Sequence, residues 1–223
     1  MDLYELSQQD IHVLEEKLSE NRGILLKKDA HERLLLHWAC VSGREQLVDI
    51  IFKFSTPPDI DSRDDTNASP LILATLGGKL EIVKTLVAKG ADVNAKKQGG
   101  HSSLQYAVSK NHKEIVEFLI ENGADVNILD DRLDSPLHRA ASLGRTELVK
   151  ILINKGANVN RQNRELNTPL HLALEDEQVT IGFLLIEAGA NCKLLNRAKQ
   201  SVIDLCKPNV RKQVLDKYGK KFE

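Results

Sequence analysis

Seven histidines and three cysteines are the first residues to question for chemistry. Imidazole and thiolate serve as bases, nucleophiles and metal ligands. His138 and His171 each close a Pro-Leu-His triplet, and His37 follows Leu35 and Leu36 in a similar setting. A zinc site on a helix would need His-x-x-x-His, and His12, His31, His101 and His112 show no such spacing. Cys40, Cys192 and Cys206 form no Cys-x-x-Cys pair. Gly77, Gly78 and Lys79 look like the end of a phosphate loop, but Leu73 stands where its first glycine should be. Gly99 and Gly100 fit a turn. No serine, histidine and acid are set up for nucleophilic attack. The expectation is a protein that is not an enzyme, with no cofactor and no metal.

The elements that carry these histidines explain them better. Ser/Thr-x-Leu-x-x-Ala recurs at Ser69–Ala74, Ser102–Ala107, Ser135–Ala140 and Thr168–Ala173, with degenerate copies at Leu34–Ala39 and Ser201–Cys206. After a first interval of 35 residues, the period is 33 throughout. In the blocks that carry them, the hydroxyl residue suits a helix N-cap and proline suits the first helical position. Gly43, Gly78 and Gly144 end the first helix, because glycine enters the left-handed region freely. Asn111 replaces glycine once, and Glu177 once, where the bend should differ or be strained. Gly90, Gly123 and Gly156 close second helices. Each helix is too short to stand alone in water. The three histidines occupy one repeat position and read as structural.

This period and pattern resemble the ankyrin repeat. The resemblance implies an all-α repeat solenoid of seven units, each two antiparallel helices with a β-hairpin turn, stacked into one domain over 1–223. The units run 1–28, 29–63, 64–96, 97–129, 130–162, 163–195 and 196–223. The first and last read as caps, with Leu3, Leu6, Ile11, Leu14, Leu18, Val210 and Val214 facing the stack. The stretch Ser55–Asp61 is two residues longer than its counterparts, and its prolines place that insertion in a loop.

Composition sets bounds. The chain has 31 Lys and Arg against 32 Asp and Glu, a balance that argues against a nucleic-acid scaffold. It has no amino-terminal apolar core of a leader and no membrane-length apolar run, so a soluble cytoplasmic or nuclear protein is expected. Unpaired cysteines agree with a reducing compartment, which makes the acceptor triplet Asn67–Ser69 irrelevant. Polar-faced end units point to a monomer.

In ankyrin arrays, the turns and first helices line the concave face. That selects Arg33, Trp38, Asp65, Leu73, Tyr106, Lys110, Arg132, Asp134, Arg139, Arg164, Glu165, Leu172, Glu175 and Asp176 as exposed partner-binding residues. Aromatic residues and arginines are what interface hot spots use; the lesser reading of Trp38 and Tyr106 is that they merely pack on neighbouring turns. Arg33–Cys40, Tyr106–Asn111, Leu137–Ala141 and Asn167–Ala173 further resemble the gankyrin family of proteasome assembly chaperones, non-ATPase subunits of the regulatory particle. The resemblance implies that the groove holds the C-terminal domain of a proteasomal regulatory-particle ATPase subunit, with Arg33 and Lys110 meeting acids and Asp65 meeting arginines. The sequence departs from that family at His31, at Ala68, and at Leu172–Asp176, which lacks its retinoblastoma-docking motif. A different ankyrin adaptor, inhibiting a kinase or masking a transcription factor, is the other reading.

Overall fold

A computed structural model describes residues 2–54 and 60–222. The insertion expected at Ser55–Asp61 falls largely outside these residues. Helices follow one another in pairs: α1 (Leu3–Ser7) with α2 (Ile11–Glu20), α3 (Leu35–Ser42) with α4 (Glu45–Phe54), and α5 (Pro70–Leu76) with α6 (Leu80–Ala88). Then come α7 (Ser103–Lys110) with α8 (Lys113–Glu121), α9 (Pro136–Ser142) with α10 (Thr146–Asn154), α11 (Pro169–Glu175) with α12 (Val179–Glu187), and α13 (Val202–Leu205) with α14 (Pro208–Tyr218). One apolar cluster runs from Leu3 to Val214 through all of them. Ala39, Ala74, Ala107, Ala140 and Ala173 are fully buried within it on the first helices α3, α5, α7, α9 and α11. A methyl group there lets successive first helices approach closely, and they pack on one another more extensively than the second helices do.

The caps form as the sequence implies. Ser69, Ser102, Ser135 and Thr168 each accept a hydrogen bond from the N–H three residues on. Leu34 has no hydroxyl to do this, and the imidazole of His37 alone ties that helix start. The connections expected as β-hairpins are hydrogen-bonded turns. Among the described residues the β pairing is one isolated antiparallel bridge, Lys96 with Ser102. Asp29, Asp64, Asp130 and Asn163 hold the turns instead, each accepting from the N–H groups two and four residues on. Asn196 accepts from Gln200 in the same way. This side-chain closure of a turn is the usual role of Asp and Asn.

Successive turns are joined by one backbone bond each: Asp65 N–H to His31 O, Gln98 to Thr66, Asp131 to Gly99, Arg164 to Arg132 and Arg197 to Glu165. The histidines add a second link. Nδ1 of His138 accepts from the Ser135 N–H at 3.1 Å, which leaves Nε2–H to donate to the Asn167 carbonyl of the next turn at 3.0 Å. His37 does the same between the Leu34 N–H and the Ser62 carbonyl. Gln105 performs the same task with a carboxamide, accepting from Ser102 N–H and donating to the Asp134 carbonyl at 2.7 Å. His171 holds its own helix start, and its imidazole faces the carbonyls of Gln200 and Leu194 in a looser contact than His138 makes. Burial pushes all three histidines below the usual imidazole pKa. A third ladder runs along the other edge, where Asn94, Asn127 and Asn160 each accept an N–H from the following unit and donate to a glycine carbonyl there.

Glu177 takes φ of +59°, the left-handed bend that Gly43, Gly78 and Gly144 adopt elsewhere, and Asn111 is left-handed at +61°. The strain expected at Glu177 is present. Its carboxylate pairs with Lys207, an exposed contact worth little.

Two outcomes follow from these observations. Glu177→Gly should raise stability by up to about 1 kcal/mol, the order of one strained backbone position; urea unfolding monitored by circular dichroism measures it. For the histidines, the folded pKa lies below the unfolded value of about 6.5, so their stabilising links are intact above that pH and are lost as pH falls through the folded values. His138→Gln copies Gln105 and does not titrate. It should match the parent near neutral pH and lose less stability than the parent under mildly acidic conditions.

Candidate protein-binding groove

Between the turns and the first helices lies a hollow of about 450 Å³. His101, Arg132, Asp134, His138 and Arg139 line one part of it, and Ser142, Leu143, Asn163, Glu165, Asn167 and Leu172 the rest. A second hollow of about 530 Å³ lies near the amino terminus, between Tyr4, Trp38 and the segment from Lys27 to His31. Of the fourteen residues expected to bind a partner, Arg132, Asp134, Arg139, Glu165 and Leu172 come together in the first hollow, and Trp38 stands in the second.

The others divide by what holds them. Leu73 was expected to be exposed and is buried at 8% exposure, in the core. Helix α5 turns it inward, so it offers no contact surface. Arg33 was expected to project free. Its Nε instead donates to Asp64 at 3.1 Å, and its guanidinium lies 4.8 Å from the centre of the Trp38 ring. Asp64 has no exposed side-chain surface. Burial works to raise its pKa, but the Thr66 hydroxyl, the Ala68 N–H and Arg33 hold it below the ordinary carboxylate value. Asp29 is held low in the same way: against its burial stand the N–H of Arg33, the indole of Trp38 and the N–H of His31. Trp38 donates to that carboxylate at 2.7 Å and meets Tyr4 edge-to-face at 5.1 Å. Trp38 therefore packs on the turn and also lines a hollow.

Arg139 takes the place of Trp38 three units on, each donating to the turn carboxylate nine residues before it. Its Nη2 donates to the buried Asp130 at 2.8 Å and lies 2.9 Å from Nδ1 of His101. Burial, and then the neighbouring Arg139 charge, push His101 below the usual imidazole pKa. Tyr106 stands edge-on to His101 at 5.6 Å, and its burial raises its phenol pKa. Asp134 accepts from the Asn163 amide at 2.7 Å, and Asp176 from the Ser142 hydroxyl at 2.5 Å. Asp65 meets His31 at 3.1 Å, and Glu165 reaches Arg197 at 4.0 Å. Lys110, Arg164 and Glu175 are exposed and make no ion pair or side-chain hydrogen bond among the described residues. They are the charges on this face available to another molecule.

Asp29, Asp64, Asp130 and His101 were missed by sequence reasoning. A signal existed for the carboxylates. Asp64, Asp130, Asn163 and Asn196 recur at multiples of the 33-residue period, five residues before each block. His101 has no counterpart and could not have been found that way. Among the described residues, no three His, Cys, Asp or Glu side chains gather closely enough to hold a metal. Cys40, Cys192 and Cys206 are buried, and burial raises each thiol pKa away from the reactive thiolate. No described helix is long and apolar enough to cross a membrane.

The family model for ankyrin repeats, built as three copies, matches residues 36–130 and again 104–196. The chain belongs to the ankyrin-repeat family. Its curated relatives are distant and much larger. M-phase phosphoprotein 8 of Mus musculus is 30% identical over 77 residues, 34% of this chain and 9% of that protein. Transient receptor potential cation channel subfamily A member 1 of Homo sapiens is 34% identical over 82 residues, 37% of this chain and 7% of that protein. E3 ubiquitin-protein ligase KEG of Arabidopsis thaliana is 29% identical over 92 residues, 41% of this chain and 6% of that protein. The chain thus spans less than a tenth of each of these relatives. What it shares with them is the repeat. Ankyrin repeats mediate protein–protein binding, and proteins built from them are typically non-enzymatic scaffolds.

The internal pairing of Arg33 can be checked by stability alone. Asp64→Ala should cost about 2–4 kcal/mol, because it leaves buried N–H donors and a half-buried guanidinium without their acceptor. Asp64→Asn keeps the oxygen that closes the turn, as Asn163 does, and should cost at least about 1 kcal/mol less. Chemical denaturation of the two variants measures the difference.

Proposed function

We propose that the helix pairs act as one seven-unit scaffold over 1–223, whose groove grips a helical domain of a partner protein. The observation that carries this is the contrast along the groove. Arg33, Arg139 and Asp134 are fixed from beneath by buried partners, while Lys110, Arg164 and Glu175 are left open. Fixed side chains lose little rotamer freedom when a partner arrives, and preorganisation of this kind lowers the cost of binding. Open charges steer the partner and set its register.

For the partner we propose the C-terminal domain of a proteasomal regulatory-particle ATPase subunit. The protein would then act as an assembly chaperone of the gankyrin type in cytoplasm and nucleus, monomeric when free. The support is the resemblance at Trp38, Tyr106, Arg139 and Leu172, of which Trp38, Arg139 and Leu172 line hollows. A second reading, another ankyrin adaptor that inhibits a kinase or masks a transcription factor, is favoured by one observation. Arg33, assigned to an acidic partner residue under the first reading, is already neutralised by Asp64.

Titration calorimetry against recombinant C-terminal domains of the proteasomal ATPase subunits separates the two. One domain should bind, and Lys110→Glu should weaken it by about tenfold, or 1.4 kcal/mol, at low salt. Lys110 is exposed at the end of α7, so circular dichroism should be unchanged by that swap. Binding by none of the domains would retire the chaperone reading in favour of the adaptor.

A further inference from the structure

The fourth residue of each turn has a positive φ: +57° at Glu32, +60° at Asn67, +76° at Gly100, +62° at Leu133, +59° at Leu166 and +58° at Lys199. Glycine and asparagine suit this backbone. A bulky apolar residue does not, because its Cβ crowds the neighbouring carbonyl. Leu133 and Leu166 therefore carry two penalties. Each holds an unfavourable backbone conformation, and each leaves apolar surface in water, at 37% and 42% exposure. Neither belongs to the hydrophobic core or to the partly buried residues packed on it. They gain little within the fold to offset either cost. Strained conformations of this kind collect at binding sites.

Position supports the same conclusion. Leu133 lies between Arg132 and Asp134, and Leu166 between Glu165 and Asn167, all four of which line the central hollow. The two leucines occupy the same place in adjacent turns, so their separation is close to one helix-packing distance, about 8–10 Å. Two turns of an α-helix rise about 10.5 Å, which places residues i and i+7 at a matching interval. The surroundings are basic. Arg132, Arg164, Arg197 and Lys199 are exposed beside them, against the exposed acids Asp131 and Glu165. Glu165 is matched to Arg197 at 4.0 Å and Arg132 to Asp134 at 3.9 Å, which leaves Arg164 and Lys199 against Asp131.

We infer that Leu133 and Leu166 form a two-point apolar anchor on the groove rim for an acidic amphipathic helix of the partner, one carrying apolar residues at i and i+7. The inference rests on the protein-binding reading above and adds the chemistry of the segment that is gripped. The basic flank selects acidic residues beside the anchors, and the shared repeat position selects their spacing.

The test is the double variant L133N/L166N of the full chain. Asparagine is already used at Asn67, in the same backbone position. The variant should unfold at the same or a higher urea concentration than the parent. Binding is measured by calorimetry with two probes: the recombinant ATPase C-terminal domains, and a synthetic helical peptide with leucines at i and i+7 and glutamates beside them. Whichever probe binds the parent should bind the variant at least about tenfold more weakly, a difference of 1.4 kcal/mol. Equal binding overturns the inference while leaving the groove reading intact. A clear loss of stability also overturns it, because the leucines would then be packing residues. If the peptide behaves as expected and no ATPase domain binds, the chaperone reading fails and this inference stands. If neither probe binds the parent, both fall.

Discussion

No first helix in this array can complete its own hydrogen bonds. A helix of seven or eight residues, such as α9 or α7, leaves several N–H groups at its start without internal partners. The residue at the third helical position resolves this. His37, Gln105 and His138 each accept an N–H from their own helix start and donate to a carbonyl of the following turn. One side chain thereby finishes a helix and fastens it to its neighbour. Burial of the alanine face follows, because the helices are brought together at the depth where those methyl groups meet.

The groove is a consequence of that fastening. Stacked turns stand in register because a backbone bond and, in most cases, a side-chain bond cross each boundary. Register places the Asp64 carboxylate beneath Arg33 of the preceding unit, while Asp130 meets Arg139 within its own unit. The same side chain that closes a turn through one oxygen orients an arginine through the other. Electrostatics of the binding face and geometry of the scaffold are therefore set by the same atoms. Replacing such a carboxylate would disturb both.

The repeating elements were legible in the sequence because each is specified locally. A hydroxyl cap, a proline, an alanine and a left-handed terminator state their conformation within six or ten residues, and the caps and bends occur where those residues imply. Even the exception at Glu177 could be read, since only its neighbours in register make it an exception. The binding face was less legible. Arg33 and Asp65 read as a free charge pair, yet each is answered across a turn boundary, by Asp64 and His31 respectively. Leu73 read as surface because the residue before the alanine of each block was expected on the concave face; Tyr106, Arg139 and Leu172 are half-buried there, and Leu73 is buried. Sequence period reveals which residues share a position. It does not reveal which neighbour a long side chain chooses, because that depends on contacts about 33 residues away.

The clasp made by the third-position side chain also gives the array a direction. Each such bond points from one unit to the next one along, never backwards. Ile72 breaks the series after α5, because an apolar side chain at the third helical position has nothing to donate. The array is thus divided energetically into blocks that its uniform outline conceals. The short α13, with α14 behind it, is joined to α11 by apolar packing, by the backbone bond between turns and by His171 against the Gln200 carbonyl. Breathing motions would start at the seam after α5, which gives the units on its two sides separate opening free energies.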